Sequence, residues 1–148
     1  MKLVTKCFFL ALCIALPVWG QTVATNNFQY AGCYEVRTLN TTPSGDSTKL
    51  IPSRFELTTN RSHFNNRSFV LKPLGESVDT HGLQLFSWTP KKNRLHLEFS
   101  NGKSGYYGNL KPTGTDEFIG NLKYFCDWLG HCGRHDVAIT VHKTGCLQ

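Results

Sequence analysis

Arg94-Leu95-His96-Leu97-Glu98-Phe99-Ser100 alternates apolar and polar residues without a break, and Asn101-Gly102 follows at once. A period of two puts Leu95, Leu97 and Phe99 on one face and Arg94, His96 and Glu98 on the other, as in a half-buried strand. Asn-Gly is a strong hairpin signal, because both residues tolerate the positive φ that a type I′ turn requires. The stretch therefore predicts a strand, a tight turn and an antiparallel partner over Ser104–Leu110.

The same grammar extends in both directions. Downstream, Lys111–Thr115 reads as a turn, Glu117–Asp127 as a strand, and His135–Lys143 as a strand with Val137, Ile139 and Val141 on one face. Upstream, Leu83–Trp88 reads as a strand that ends at a Pro90-Lys91-Lys92-Asn93 turn. Cys33–Leu39, Arg54–Thr59 and Ser68–Lys72 are three more strands, separated by loops over Asn40–Thr48 and Asn60–Arg67. These loops are rich in turn formers. A short helical turn is expected between Gly75 and Thr80, and no stretch holds a 3.6-residue period over three turns. Eight short strands at near-regular spacing predict an all-β fold, a sandwich or an eight-stranded antiparallel up-and-down barrel, and the cysteine positions favour the barrel.

The chain has 148 residues and begins with two lysines, Lys2 and Lys6, ahead of an apolar run from Cys7 to Val18. Val18 and Gly20 suit the −3 and −1 positions of a signal-peptidase site, so residues 1–20 read as a secretory signal cleaved before Gln21. The apolar run is shorter than the ~20 residues a spanning helix needs, and no membrane span is expected. Residues 21–31 are polar and aperiodic and read as a flexible N-terminal arm, leaving 32–148 as one barrel domain. Without the signal, two of the 16 basic residues are gone and all 10 acids remain, a net charge of +4. That balance is ordinary for a soluble domain and does not point to nucleic acid.

Export also removes Cys7 and Cys13, leaving Cys33, Cys126, Cys132 and Cys146. Four cysteines in an oxidising compartment suggest two disulfides, with three connectivities open. Cys126–Cys132 would close a short loop, and Cys33–Cys146 would tie the start of the first strand to the end of the last. In an even-stranded meander that closes on itself, those two places are neighbours. A metal site from Cys126, His131, Cys132 and His135 is disfavoured, because adjacent ligands at 131 and 132 would strain a tetrahedron.

Catalytic groups are sparse. No Gly-x-Ser-x-Gly elbow, phosphate-binding loop or His-Glu-x-x-His motif is present, and paired cysteines leave no thiol nucleophile. No catalytic residue, cofactor or metal is expected. Glu35 and Arg37 share a face of the first strand and could hold a polar ligand if that face points inward; a solvated face is the plainer reading. The basic run Lys91-Lys92-x-Arg94 lies at a hairpin tip, where it serves solubility unless aromatics interleave with it. Asn40, Asn60 and Asn66 begin N-glycosylation sequons beside loops. Aromatics are the excess of this sequence. An eight-stranded barrel is just wide enough to be filled by side chains or to hold one small ligand. Trp88, Leu97, Phe99, Tyr107 and Phe118 are the residues expected to line such a cup.

Gly32-Cys33-Tyr34-Glu35-Val36 resembles the opening strand of a lipocalin, commonly Gly-x-Trp-Tyr-Glu, although the Trp is absent here. Ile51-Pro52-x-Arg54-Phe55-x-Leu57-Thr58, Trp88, Leu95-x-Leu97-x-Phe99-Ser100-x-Gly102-x-Ser104-Gly105 and the terminal Cys146 are similar to small exported bacterial proteins of unknown function. The resemblance implies a lipocalin-like, calycin-type barrel that is secreted or periplasmic, and it implies no activity. The expectation is a monomeric binding protein that holds a small apolar molecule in its cup or a protein partner at its rim. An inhibitor-like module acting through its N-terminal arm is the alternative, and an enzyme without a recognisable motif the third.

Overall fold

The computed structural model describes residues 28–40, 50–75, 85–127 and 136–146. Eight strands follow one another: β1 Gly32–Asn40, β2 Arg54–Arg61, β3 Phe69–Pro73, β4 Ser87–Lys91, β5 Arg94–Ser100, β6 Ser104–Pro112, β7 Glu117–Cys126 and β8 Val137–Thr144. Each pairs antiparallel with the next, and β8 pairs back onto β1 to close the barrel. Closure removes both sheet edges, which would otherwise offer unpaired backbone groups to other chains. The β1–β8 ladder runs from Cys33 opposite Thr144 to Asn40 opposite Ala138, with a bulge between Thr38 and Asn40. The Cys33–Cys146 disulfide staples this closing seam, with Cα atoms 5.2 Å apart. Cys126 is also disulfide-bonded, and Cys132, its expected partner, lies outside the described residues.

Alternation decides what faces inward. Leu95, Leu97 and Phe99 are buried, as are Val137, Ile139 and Val141 on the opposite side of the barrel. They meet a ring system of Tyr34, Phe55, Phe69, Trp88, Tyr106 and Phe118, all essentially inaccessible to solvent. Tyr34 stacks on Phe55 at 5.6 Å and Trp88 on Phe69 at 4.9 Å, while Phe99 meets Phe55 and Phe86 edge-on. The Trp88 indole N–H donates to the Thr58 carbonyl at 2.9 Å, so its one polar atom is satisfied inside the barrel. Gly105 and Gly108 mark where neighbouring backbones approach most closely. A Cβ at Gly105 would collide with the Phe99 carbonyl and the Phe125 ring, and one at Gly108 with the Asn121 carbonyl.

Three local expectations are corrected. The fourth strand spans Ser87–Lys91 rather than Leu83–Trp88, so Pro90 and Lys91, expected in a turn, belong to it. Pro90 is tolerated because β3 begins at Phe69, opposite Trp88, and does not reach far enough along β4 to need its missing N–H. The tight hairpin is therefore Lys92-Asn93, with Lys91 opposite Arg94 and Asn93 in the left-handed region at φ 54°. Asn101-Gly102 does not form a type I′ turn, for among the described non-glycine residues only Asn93 has positive φ. The Asn101 side-chain oxygen instead accepts from the Lys103 and Ser104 backbone N–H groups at 3.0 and 2.8 Å. A polar side chain thus does the work expected of backbone torsion.

Of the expected N-terminal arm, residues 28–31 are described. Residues 28–31 form a turn closed by an Ala31 N–H to Phe28 carbonyl bond of 2.9 Å. This turn packs across one end of the barrel, with Phe28 edge-on to Phe69 and Tyr30 edge-on to Phe118. The Tyr34 hydroxyl donates to the Tyr30 carbonyl at 2.8 Å. Burial, followed by nearby Asp116 and Tyr30, holds that phenol well above the ordinary tyrosine range, so it stays a donor. The signal expected at 1–20, residues 21–27 and the helical turn expected beyond Gly75 lie outside the described residues.

Candidate functional site: a cationic groove on the outer wall

The residues expected to line a cup divide. Trp88, Leu97, Phe99 and Phe118 do meet inside the barrel, where they pack against one another's neighbours as core. Tyr107 does not join them. Tyr106 takes the inward position on β6, so Tyr107 points outward and is 41% exposed, its ring tilted against Phe125 at 5.9 Å. Glu35 and Arg37 flank inward-facing Tyr34 and Val36, which places both on the outer face. His142 is exposed, and no group of three or more potential metal ligands occurs among the described residues. His131 and His135 lie outside them, whereas Asn60 and Asn66 are both exposed.

Tyr107 sits in a shallow groove of ≈ 590 Å³ on the outer face of β5, β6 and β7. Strand alternation builds it. On β6 the inward set ends in Leu110, leaving Tyr107, Asn109 and Lys111 outside. On β7, inward Phe118 and Leu122 leave Ile119, Asn121 and Lys123 outside. The register then assembles rows across the wall: Glu98, Tyr107 and Lys123 in one, His96, Asn109 and Asn121 in the next, and Lys111 beside Ile119 in the third. Lys91 and Arg94 complete the basic end, brought there by the Lys92-Asn93 hairpin.

Lys91, Arg94, Lys111 and Lys123 are exposed, and none is ion-paired among the described residues. Among the described residues, no carboxylate lines the groove; Glu98 stands just beyond it, within 3.5 Å of the Ser87 hydroxyl. Four unpaired cations facing one concavity create a positive potential that an anion would relieve. His96 lies between them, with Nδ1 3.1 Å from Asn109 Oδ1, a pair in which the ring nitrogen donates. Burial and then Lys91 lower the His96 pKa, against the opposing pull of the Asn109 hydrogen bond and Glu98. The ring is therefore mostly neutral at neutral pH, and an anion bound beside it would favour the imidazolium.

That coupling gives a first expected result. Affinity for dextran sulfate, whose sulfates stay ionised, should rise as pH falls from about 7 to 5. In His96→Gln the rise should disappear. An identical pH profile in the variant would place the titrating group elsewhere.

The basic run at Lys91-Lys92-x-Arg94 was visible in the sequence as a hairpin tip. Lys111, Lys123, Asn109 and Asn121 were not connected to it, since only the strand register brings them together. Among the described residues, no helix is long and apolar enough to cross a membrane. Fold and groove together define a disulfide-stapled, closed eight-stranded antiparallel barrel with a cationic outer wall. No protein-family model matches the sequence, and no curated protein or solved structure does either.

Proposed function

We propose that this is a small exported binding protein, secreted or periplasmic, that uses a packed barrel as a rigid scaffold and engages an anionic partner in its outer-wall groove. The carrying observation is the set of four unpaired cations lining one concavity while aromatic side chains occupy the interior. Export is supported by the apolar N-terminal run and by the Cys33–Cys146 bridge, since disulfides are characteristic of oxidising compartments. A second bridge, Cys126–Cys132, and a lipocalin-like kinship belong to the same proposal. The sequential barrel, the opening-strand sequence and the N-terminal turn packed against one barrel end support that kinship. An inhibitor-like action through the arm would have to use residues 21–27, since 28–31 are engaged with the barrel.

Charge reversal tests the groove. Lys111→Glu with Lys123→Glu should weaken binding of dextran sulfate by more than about tenfold, because two of the four attractions become repulsions of about 1 kcal/mol each. Lys72→Glu with Lys103→Glu changes net charge equally but lies away from the groove, and should weaken binding far less. Equal losses in both pairs would reduce the effect to net charge and overturn the assignment.

A further inference from the structure

We infer that the groove takes an acidic polysaccharide, a chain carrying carboxylate or sulfate groups, rather than another polyanion. The inference rests on the reading of the groove as an anion site and adds the chemistry between its charges. Cations stand at both ends: Lys123 beside Tyr107, and Lys91, Arg94 and Lys111 at the hairpin end. Tyr107 and Lys111 are four residues apart on β6, a separation of about 13 Å at the rise of a strand. The space between the charges is lined by amides, the Tyr107 ring and the His96 imidazole. Asn109 and Asn121 face each other across the β6–β7 pair. The Asn109 oxygen is held by His96, which leaves its NH₂ to donate outward. The Asn121 side chain is exposed with no hydrogen-bond partner among the described residues. Tyr107 is backed by Phe125, and Ile119, 39% exposed, offers an apolar contact.

Those groups match a saccharide chain. Sugar hydroxyls both donate and accept, as side-chain amides do. The C–H face of a pyranose ring suits a tyrosine platform and an exposed isoleucine. Single-stranded nucleic acid, by contrast, is gripped by aromatic side chains on which successive bases stack. Among the described residues, Tyr107 is the one Phe, Tyr or Trp that lines the groove, and the other ring, His96, is tied to Asn109 by a hydrogen bond, so no row of rings runs along it.

Calorimetric titration of the mature protein with polygalacturonate, dextran sulfate, neutral dextran and oligo-dT, at one salt concentration, tests this. At least one of the two acidic polysaccharides should bind more tightly than oligo-dT, and neutral dextran should not bind. Comparing the first two separates carboxylate from sulfate recognition. Tyr107→Ala should weaken the preferred polysaccharide severalfold through loss of the ring platform, and Asn121→Ala should weaken it measurably. Both positions are on the surface, and an unchanged melting temperature would confirm intact folding. Oligo-dT binding as tightly as the polysaccharides, or polysaccharide binding indifferent to both substitutions, would overturn the inference while leaving a general anion site. Failure of every polyanion to bind would remove the anion site itself.

Discussion

Replacing Cys33 and Cys146 together by alanine is expected to lower the stability of the mature protein by about 4–5 kcal/mol. The bridge spans 113 residues of sequence, and in the chain-entropy model a loop of ~100 residues restricts the unfolded chain by about that much. Such a loss is a large fraction of the 5–15 kcal/mol typical of a whole domain. The native barrel should nevertheless keep its topology, because the β1–β8 ladder closes it independently from Cys33 opposite Thr144 onward. Urea unfolding followed by tryptophan fluorescence measures the difference, since buried Trp88 reports on the core. A loss below about 1 kcal/mol, well short of the model's expectation, would mean that the ladder alone carries closure.

The second large effect is in the interior. Phe99→Ala should cost roughly 3–5 kcal/mol, the range for truncating an aromatic ring in a packed core. Phe99 is fully buried, edge-on to Phe55 at 5.9 Å and to Phe86 at 5.7 Å. Those rings sit on β2, before β4 and on β5, so removing one leaves a space that stiff neighbours fill poorly. If the interior is core, an apolar fluorescent probe should not bind the wild-type barrel. The variant should lose the full core-like increment. A small stability loss, with the wild type already binding the probe, would instead restore the apolar cup expected from the sequence.

Much of the barrel was legible because alternation is a local signal. Arg94–Ser100 was bounded correctly by its own residues, and the inward faces of β5 and β8 follow from period two alone. Cys33 and Cys146 were paired by reasoning about where a closed meander begins and ends, and the bridge is there. The errors came where local chemistry admits two solutions. Asn101-Gly102 can turn through backbone torsion or through its side-chain oxygen, and the structure uses the side chain. Pro90 reads as a strand breaker unless one knows that β3 is too short to lie beside it. Tyr106-Tyr107 offers two adjacent aromatics, of which only one can face inward, and an apolar count does not choose between them.

The groove was invisible for a different reason. Tyr107, Asn109 and Lys111 form a same-face triplet, as do Ile119, Asn121 and Lys123, and each alone reads as the polar back of a strand. Their meaning lies in the cross-strand register, which sets Asn109 against Asn121 and Lys111 against Ile119. Register depends on the whole sheet, so no single segment encodes it.

The most direct measurement is a ¹⁵N–¹H correlation spectrum of the mature protein titrated with the acidic polysaccharide that binds best. Shifts concentrated in residues 91–96, 107–111 and 119–123 are expected, with the amides of Leu57, Trp88 and Ile139 unmoved. Shifts centred on those interior residues or on the N-terminal turn, with the outer wall silent, would contradict the assignment of recognition to the groove.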